Sequence, residues 1–241
     1  MNLKTILFSA LAIAAASGAQ AAIITYSGQD DGAPVSGPFP NSNTAASSFL
    51  TAAAAFGPVY TETFDTIPVG TGAGGGTFSI PGASVSLNTT YSAPFGGVSD
   101  SVSSNVYGFP VSGSNFLAFD GGSATFTFDD PTNSFGFYTT GVQTVFTSVF
   151  TVTFNDGASE TRNIPINVNG GASYFGFTDS IAIKSVTVTN ISDDAWAVDN
   201  VSFNAGTSAA PEPSTWAMMS LGFGGLAFAG YRTRKSAAVA A

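Results

Sequence analysis

From Val59 onward, apolar and hydroxyl side chains alternate along the chain. Ala124, Phe126 and Phe128 alternate with Thr125 and Thr127, Phe150, Val152 and Phe154 with Thr151 and Thr153, and Val186 and Val188 with Ser185 and Thr187. A period of two, with one apolar and one threonine face, predicts antiparallel strands that turn one side to a core. Clusters of Gly, Pro, Asn, Asp and Ser interrupt the pattern at short intervals, and Asn155-Asp156-Gly157 joins two such runs as a hairpin turn. Strands are expected at 59–64, 76–80, 83–88, 105–109, 115–119, 123–128, 134–139, 145–155, 158–166, 172–177, 183–190 and 195–203.

Many short strands without intervening helices predict an all-β fold, an antiparallel, jelly-roll-like β-sandwich over 59–205. A barrel or a β-helix is the alternative; no fixed-period repeat points to a propeller or solenoid. Ahead of this module, Ile23–Tyr26 reads as a short strand and 27–43 as loop. Residues 43–57 read as one short helix with Asn43 as N-cap, Gly57-Pro58 as the stop, and Phe49, Leu50, Ala53 and Phe56 on one face. Residues 22–58 are thus expected to be loop and helix leading into the sandwich. The glycine-rich run 70–76 lacks the Lys-Ser/Thr ending of a phosphate loop and is expected to be a flexible connection.

The two ends of the chain carry a different pattern. Lys4 precedes an apolar run from Ile6 to Ala16 and then Ala19-Gln20-Ala21, which together form a secretory signal peptide over 1–21. After a small polar linker at 206–210 comes Pro211-Glu212-Pro213, then an uncharged stretch from Trp216 to Tyr231, then Arg232, Arg234 and Lys235. Sixteen helical residues span roughly 24 Å, short of the about 20 residues a comfortable bilayer crossing needs. The flanking aromatics and the basic end nevertheless match an interface-anchored membrane helix at 216–231 with its basic end in the cytoplasm.

The order tripeptide, glycine-rich apolar helix, basic end closely resembles the PEP-CTERM sorting signal of Gram-negative bacteria, over residues 211–235. The closing string Ala197-Val198-Asp199-Asn200-Val201-Ser202-Phe203 also resembles other exosortase-sorted surface proteins. The resemblance implies recognition of Pro211, Glu212 and Pro213 by a membrane-embedded exosortase and removal of the tail. It implies transient residence in the inner membrane and delivery to the cell surface or extracellular matrix. It also implies an association with exopolysaccharide and biofilm, in a structural or adhesive role.

Composition narrows the chemistry. The chain has no cysteine and no histidine, which excludes disulfides, thiol catalysis, the Ser-His-Asp arrangement and nearly all zinc chemistry. Between residues 22 and 210 stand 14 acidic residues and two basic ones, Arg162 and Lys184, a net charge near −12. Nucleic acid, which needs a basic footprint, is excluded as a partner. No spacing singles out an acid and a base, so no enzyme activity is expected; a carboxylate pair for glycoside hydrolysis is the remote alternative.

Strand parity singles out two carboxylates. Glu62 shares parity with Tyr60 and Phe64, and Asp199 with Val201 and Phe203, so each is expected on the face its apolar neighbours bury. A buried carboxylate must be paired, hydrogen-bonded or metal-bound. The arrangement is similar to jelly-roll carbohydrate-binding modules whose first and last strands share a structural Ca²⁺. On that reading Glu62, Asp65 and Asp199 are candidate calcium ligands, helped by Asp193, Asp194 or Asn200. Backbone capping without a metal and plain exposure are the other two readings. A calcium-dependent glycan-binding module is the alternative function, with Trp196 as its candidate glycan contact.

Overall fold

The computed structural model describes residues 23–89, 96–102, 104, 106–143, 149–154 and 157–204. Its elements are β1 (Ile24–Asp31), α1 (Pro40–Ala53), β2 (Val59–Glu62), β3 (Thr77–Ile80), β4 (Ala83–Asn88), β5 (Gly97–Ser99), β6 (Phe116–Thr140), β7 (Val149–Phe154), β8 (Ser159–Asn163) and β9 (Gly171–Asn204). Every strand pairing among them is antiparallel.

Expected strands merge into two long ones. β6 has 25 residues and β9 has 34, several times the usual five or six, so each must bend and serve more than one part of the sheet. The register shows how. Residues 123–127 of β6 pair with 185–189 of β9, while 134–140 of β6 pair with both 172–178 and 197–203 of β9. The first segments lie in the order β3-β4-β6-β9-β7-β8. The second set carries β1 on 171–178 and β2 on 201–204 of β9. Phe126 and Phe135 of the same strand thereby meet with ring centroids 5.2 Å apart, and Phe128 meets Phe203 at 5.1 Å. The sheet closes on itself as two layers with phenylalanines between them.

The strings Asp120-Gly121-Gly122 and Asp129-Asp130-Pro131 lie at register shifts inside β6. Gly121 and Gly122 have φ of 66° and 92°. A Cβ on Gly122 would lie 2.0 Å from the Asn88 carbonyl oxygen, so only glycine allows this approach. The predicted alternation does its work in the core: Ala124, Phe126, Phe128, Val186 and Val188 are all buried with Val85, Phe135, Phe137, Phe177, Val198 and Phe203. Each such ring or branched chain contributes about 1.5–3 kcal/mol by leaving water.

Several expectations are corrected. β1 runs to Asp31 and joins the sheet through β9, so the module begins at residue 24 rather than 59. The chain over 106–109, expected as a strand, is not one. The run 70–76 is not a loose connection: Gly70 N–H donates to the Val98 carbonyl at 2.8 Å, and Val98 N–H to that of Thr71 at 3.0 Å. A Cβ on Gly97 would lie 2.6 Å from the Thr71 oxygen.

The helix starts three residues early. Pro40 stands at its first turn, where a missing N–H costs nothing. No local side chain caps it; Asp30 of β1 does so from a distance. Its two oxygens accept from Asn41 N–H at 3.0 Å and Ser42 N–H at 2.8 Å, which also sets a negative charge against the positive helix end. Asn43, expected as the cap, instead accepts the Tyr138 hydroxyl at 2.8 Å. Gly57, with φ of 140°, ends the segment as expected after a 3-10 turn over Ala54–Phe56. The buried face is Ser42, Ala45, Ala46, Phe49 and Ala53. Leu50 is 39% exposed, because the helix meets the outer face of the second layer along a stripe centred on Phe49.

Candidate functional site

Asp65 and Asp199 both hold one connection, residues 106–115, while Glu62 closes the end of β2. Glu62 is buried, as parity predicted. One of its oxygens accepts the Tyr60 hydroxyl at 2.7 Å, the other the Phe64 N–H at 2.7 Å. Phe64 sits at φ 61°, so this carboxylate holds a strained turn. Burial first, then the hydrogen bond to Glu62, pushes the Tyr60 phenol well above its usual range.

Asp65 is exposed, and its Oδ1 accepts from Ser114 N–H at 2.7 Å and Asn115 N–H at 3.0 Å. Those amide bonds, Asn115 first, hold its carboxyl below the usual range. Asp199 is buried on the opposite face from the one expected. Tyr138 faces Asp199 while Gly136 faces Ser202, so two steps along β6 correspond to three along β9. The extra residue is a bulge at Asn200, whose φ is 48°. The bulge lets Val198 and Val201 both reach the core and turns Asp199 outward from it, under residues 111–112. There Oδ2 accepts from Val111 N–H at 2.8 Å and Ser112 N–H at 3.3 Å, and Oδ1 from Asn200 N–H at 2.7 Å. Burial pushes this carboxyl up to about 7; the three amide bonds favour its charged form, and the nearby Asp65 charge opposes it.

The connection is tied down elsewhere too. Phe109 N–H donates to the Thr140 hydroxyl oxygen at 2.8 Å, and that hydroxyl donates to the Phe109 carbonyl at 2.6 Å. Ser112 donates its hydroxyl to the Asn200 side-chain oxygen at 2.8 Å. Chemically, then, these carboxylates serve as acceptors for main-chain amides. Among the described residues no three acidic side chains converge as ligands for a metal ion.

Trp196, the expected glycan contact, is only 1% exposed and belongs to the central core; it shares strand parity with Val198, ahead of the bulge. The exposed large hydrophobic side chains among the described residues are scattered, and Tyr107 is the one aromatic among them. The sorting residues Pro211, Glu212 and Pro213 and the flanks Trp216, Tyr231, Arg232, Arg234 and Lys235 lie outside the described residues, as does the signal peptide. No helix among the described residues is long and apolar enough to cross a membrane.

Two features were missed from sequence. Asn204, the last described residue, is fully buried. Its side-chain oxygen accepts from the Thr132 hydroxyl at 2.8 Å, the Asn133 N–H at 3.0 Å and the Ser134 hydroxyl at 2.8 Å. This polar knot ties the end of β9 to residues 132–134 of β6. The second is an open cleft of about 450 Å³ between β1 and α1. Neither leaves a motif, since Asn, Ser and Thr occur throughout the chain.

A sequence profile described as the PEP-CTERM protein-sorting motif matches residues 209–235. The chain carries a PEP-CTERM sorting motif. The PEP-CTERM motif marks an exported protein handled by an exosortase. No curated protein matches the chain. Solved structures similar to it include the K2 cleaved adhesin domain of Lys-gingipain, at 13% identity and TM-score 0.39, covering 61% of this chain and 98% of that one. The family 11 carbohydrate-binding module of the cellulosomal cellulase Lic26A-Cel5E of Clostridium thermocellum is similar at 12% identity and TM-score 0.31, covering 62% and 96%. The catalytic domain of a GH87 alpha-1,3-glucanase is similar at 17% identity and TM-score 0.28, covering 42% and 24%.

Proposed function

We propose that this PEP-CTERM protein is an exosortase-processed component of the bacterial surface or extracellular matrix, with a structural or adhesive rather than catalytic role. We place it with exopolysaccharide and biofilm. The observation that carries the reading is the sorting motif at 209–235. It follows closely in sequence on the buried Asn204. The rest of the module is consistent with bulk presence outside the cell. Its core is built from large rings without disulfides, its net charge is strongly negative, and its carboxylates brace loops. We read the sandwich as jelly-roll-like, on the support that β6 and β9 alternate between the two layers.

On this reading the helix at 216–231 holds the chain in the inner membrane only until the tail is cut. The test is Glu212→Ala in a strain that exports the protein. Intact-mass spectrometry should show wild type shortened at its C-terminus and recovered outside the cell, with the variant uncut in the membrane fraction. Identical masses and identical fractionation for the two would overturn it.

A further inference from the structure

The cleft between β1 and α1 has no part in the reading above. One wall is the edge of the second layer, where β1 pairs with β9 and, among the described residues, with no other strand. Thr25 and Ser27 line this wall and share one strand face, with Tyr26 between them. The other wall is a helical stripe, Asn41, Thr44 and Ser48, at the spacing that puts side chains one above another. These three are exposed, and no charged side chain lines the space.

The hydrogen bonds of the helical wall fix its polarity. Thr44 donates its hydroxyl to the Pro40 carbonyl at 2.7 Å, Ser48 to the Thr44 carbonyl at 2.9 Å, and the Asn41 amide to the Gln29 carbonyl at 3.0 Å. The two hydroxyl hydrogens and one of the two Asn41 amide hydrogens are in use, so the oxygens left on this wall act as acceptors beside one remaining amide donor. A matching ligand must bring donors of its own. Carboxylates bring none, and the negative module repels both these and phosphates. A packed peptide side chain would want an apolar pocket, which this lining does not offer. Tyr26 adds a ring held edge-on against Phe49, with centroids 6.0 Å apart and planes at 73°. Hydroxyl, serine and asparagine side chains are poor choices for an exposed helix face on propensity alone, yet α1 carries no charged residue at all.

We propose that this cleft binds a neutral polysaccharide, whose hydroxyls donate to the acceptor row on α1 while a sugar face rests on Tyr26. A volume of about 450 Å³ is within the range of ligand sites, and its open form admits an internal stretch of a polymer. The inference goes beyond the proposed matrix role and stands whether or not the tail is cut.

The test is titration of the isotope-labelled full-length chain, in a zwitterionic detergent free of sugar, with maltohexaose, laminarihexaose and xylohexaose in turn. At least one should shift the amide resonances of 25–28 and 41–48. Thr44→Lys combined with Ser48→Lys fills the cleft from exposed positions and should weaken that binding at least tenfold, whereas Ser47→Lys should not. The proposal is overturned if none of the three sugars moves these resonances, or if the double variant binds as wild type does. It is also overturned if a peptide copying residues 24–31 moves them where the sugars do not, since that would assign the groove to a second copy of the chain.

Discussion

The ring of Phe49 occupies the space that a side chain on Gly176 would take. A Cβ at Gly176 would lie 2.8 Å from Phe49 Cδ2, and one at Gly136 would lie 3.0 Å from Cε1. Two glycines in neighbouring strands thus form a notch for one helix residue, which is how α1 seats on the sheet. Glycine in a strand is unfavourable by itself, and the ring that covers it offsets this. Phe49→Ala should therefore cost about 3–5 kcal/mol. Gly176→Ala should cost about 1–3 kcal/mol by overpacking. In urea denaturation the double variant should be less destabilised than the sum of the two singles, because the alanine at 176 then loses its nearest clash, the Phe49 ring, and meets only the Tyr174 ring at 3.0 Å. Strict additivity would refute the notch.

Tyr174 sits in the same cluster, 1% exposed, with its ring 5.8 Å from that of Phe49. Its hydroxyl has no hydrogen-bond partner among the described residues. Burial, then the neighbouring Tyr138, drives its proton affinity far above that of an ordinary phenol. A buried, unsatisfied hydroxyl costs about 1–3 kcal/mol. Tyr174→Phe is expected to leave stability unchanged or raise it by about 1 kcal/mol. A loss of 2 kcal/mol or more in thermal or urea unfolding would show that the hydroxyl is bonded.

Stability should fall as pH rises through neutrality. Asp199 titrates near 7 when folded and near 3.9 when unfolded. Between those values the folded chain holds a proton that the unfolded chain has released, so folding is favoured at the acid end of the window. That contribution is complete below about 4 and is lost as pH passes 7, a change on the order of a few kcal/mol. Asp179, raised by burial, acts in the same direction; Asp65, lowered by its amide bonds, adds stability only as pH climbs out of the strongly acid range. Melting curves from pH 4.5 to 8 should show a decline that Asp199→Asn flattens. An equal decline in the variant would assign it to other groups.

Asp65 is the third anchor of the 106–115 connection, and a Cβ on Gly113 would come within 2.0 Å of its Oδ2. Asp65→Ala frees the Ser114 and Asn115 amides at a partly exposed site. The expected loss is about 1–2 kcal/mol, and it should be the same in calcium as in a chelator. A loss that appears only in calcium would instead make Asp65 a ligand of the ion.

How far the sequence could be read depends on the kind of signal. The alternation at 123–128 and 183–190 is local, so it appears in the core as expected. Glu62 was placed on its buried face by parity because β2 is short and straight. Asp199 was not, because parity counts residues and cannot see the bulge at Asn200, a choice made by the need to bring both Val198 and Val201 inward. The helix was foreseen from its alanines and its Gly57 stop. Its start was misplaced because its cap, Asp30, arrives from another strand.

What the sequence determined alone is the alternating β pattern, the lack of cysteine and histidine, the acidic charge and the sorting tail, each a property of neighbouring residues. Tertiary structure decided the rest. It fused six expected strands into two bent ones, buried Trp196, turned Asp199 to the other layer face, knotted Asn204 and opened the cleft beside α1. Those outcomes depend on which distant surfaces meet, and that is fixed by filling a common core rather than by any residue's preference for its own conformation.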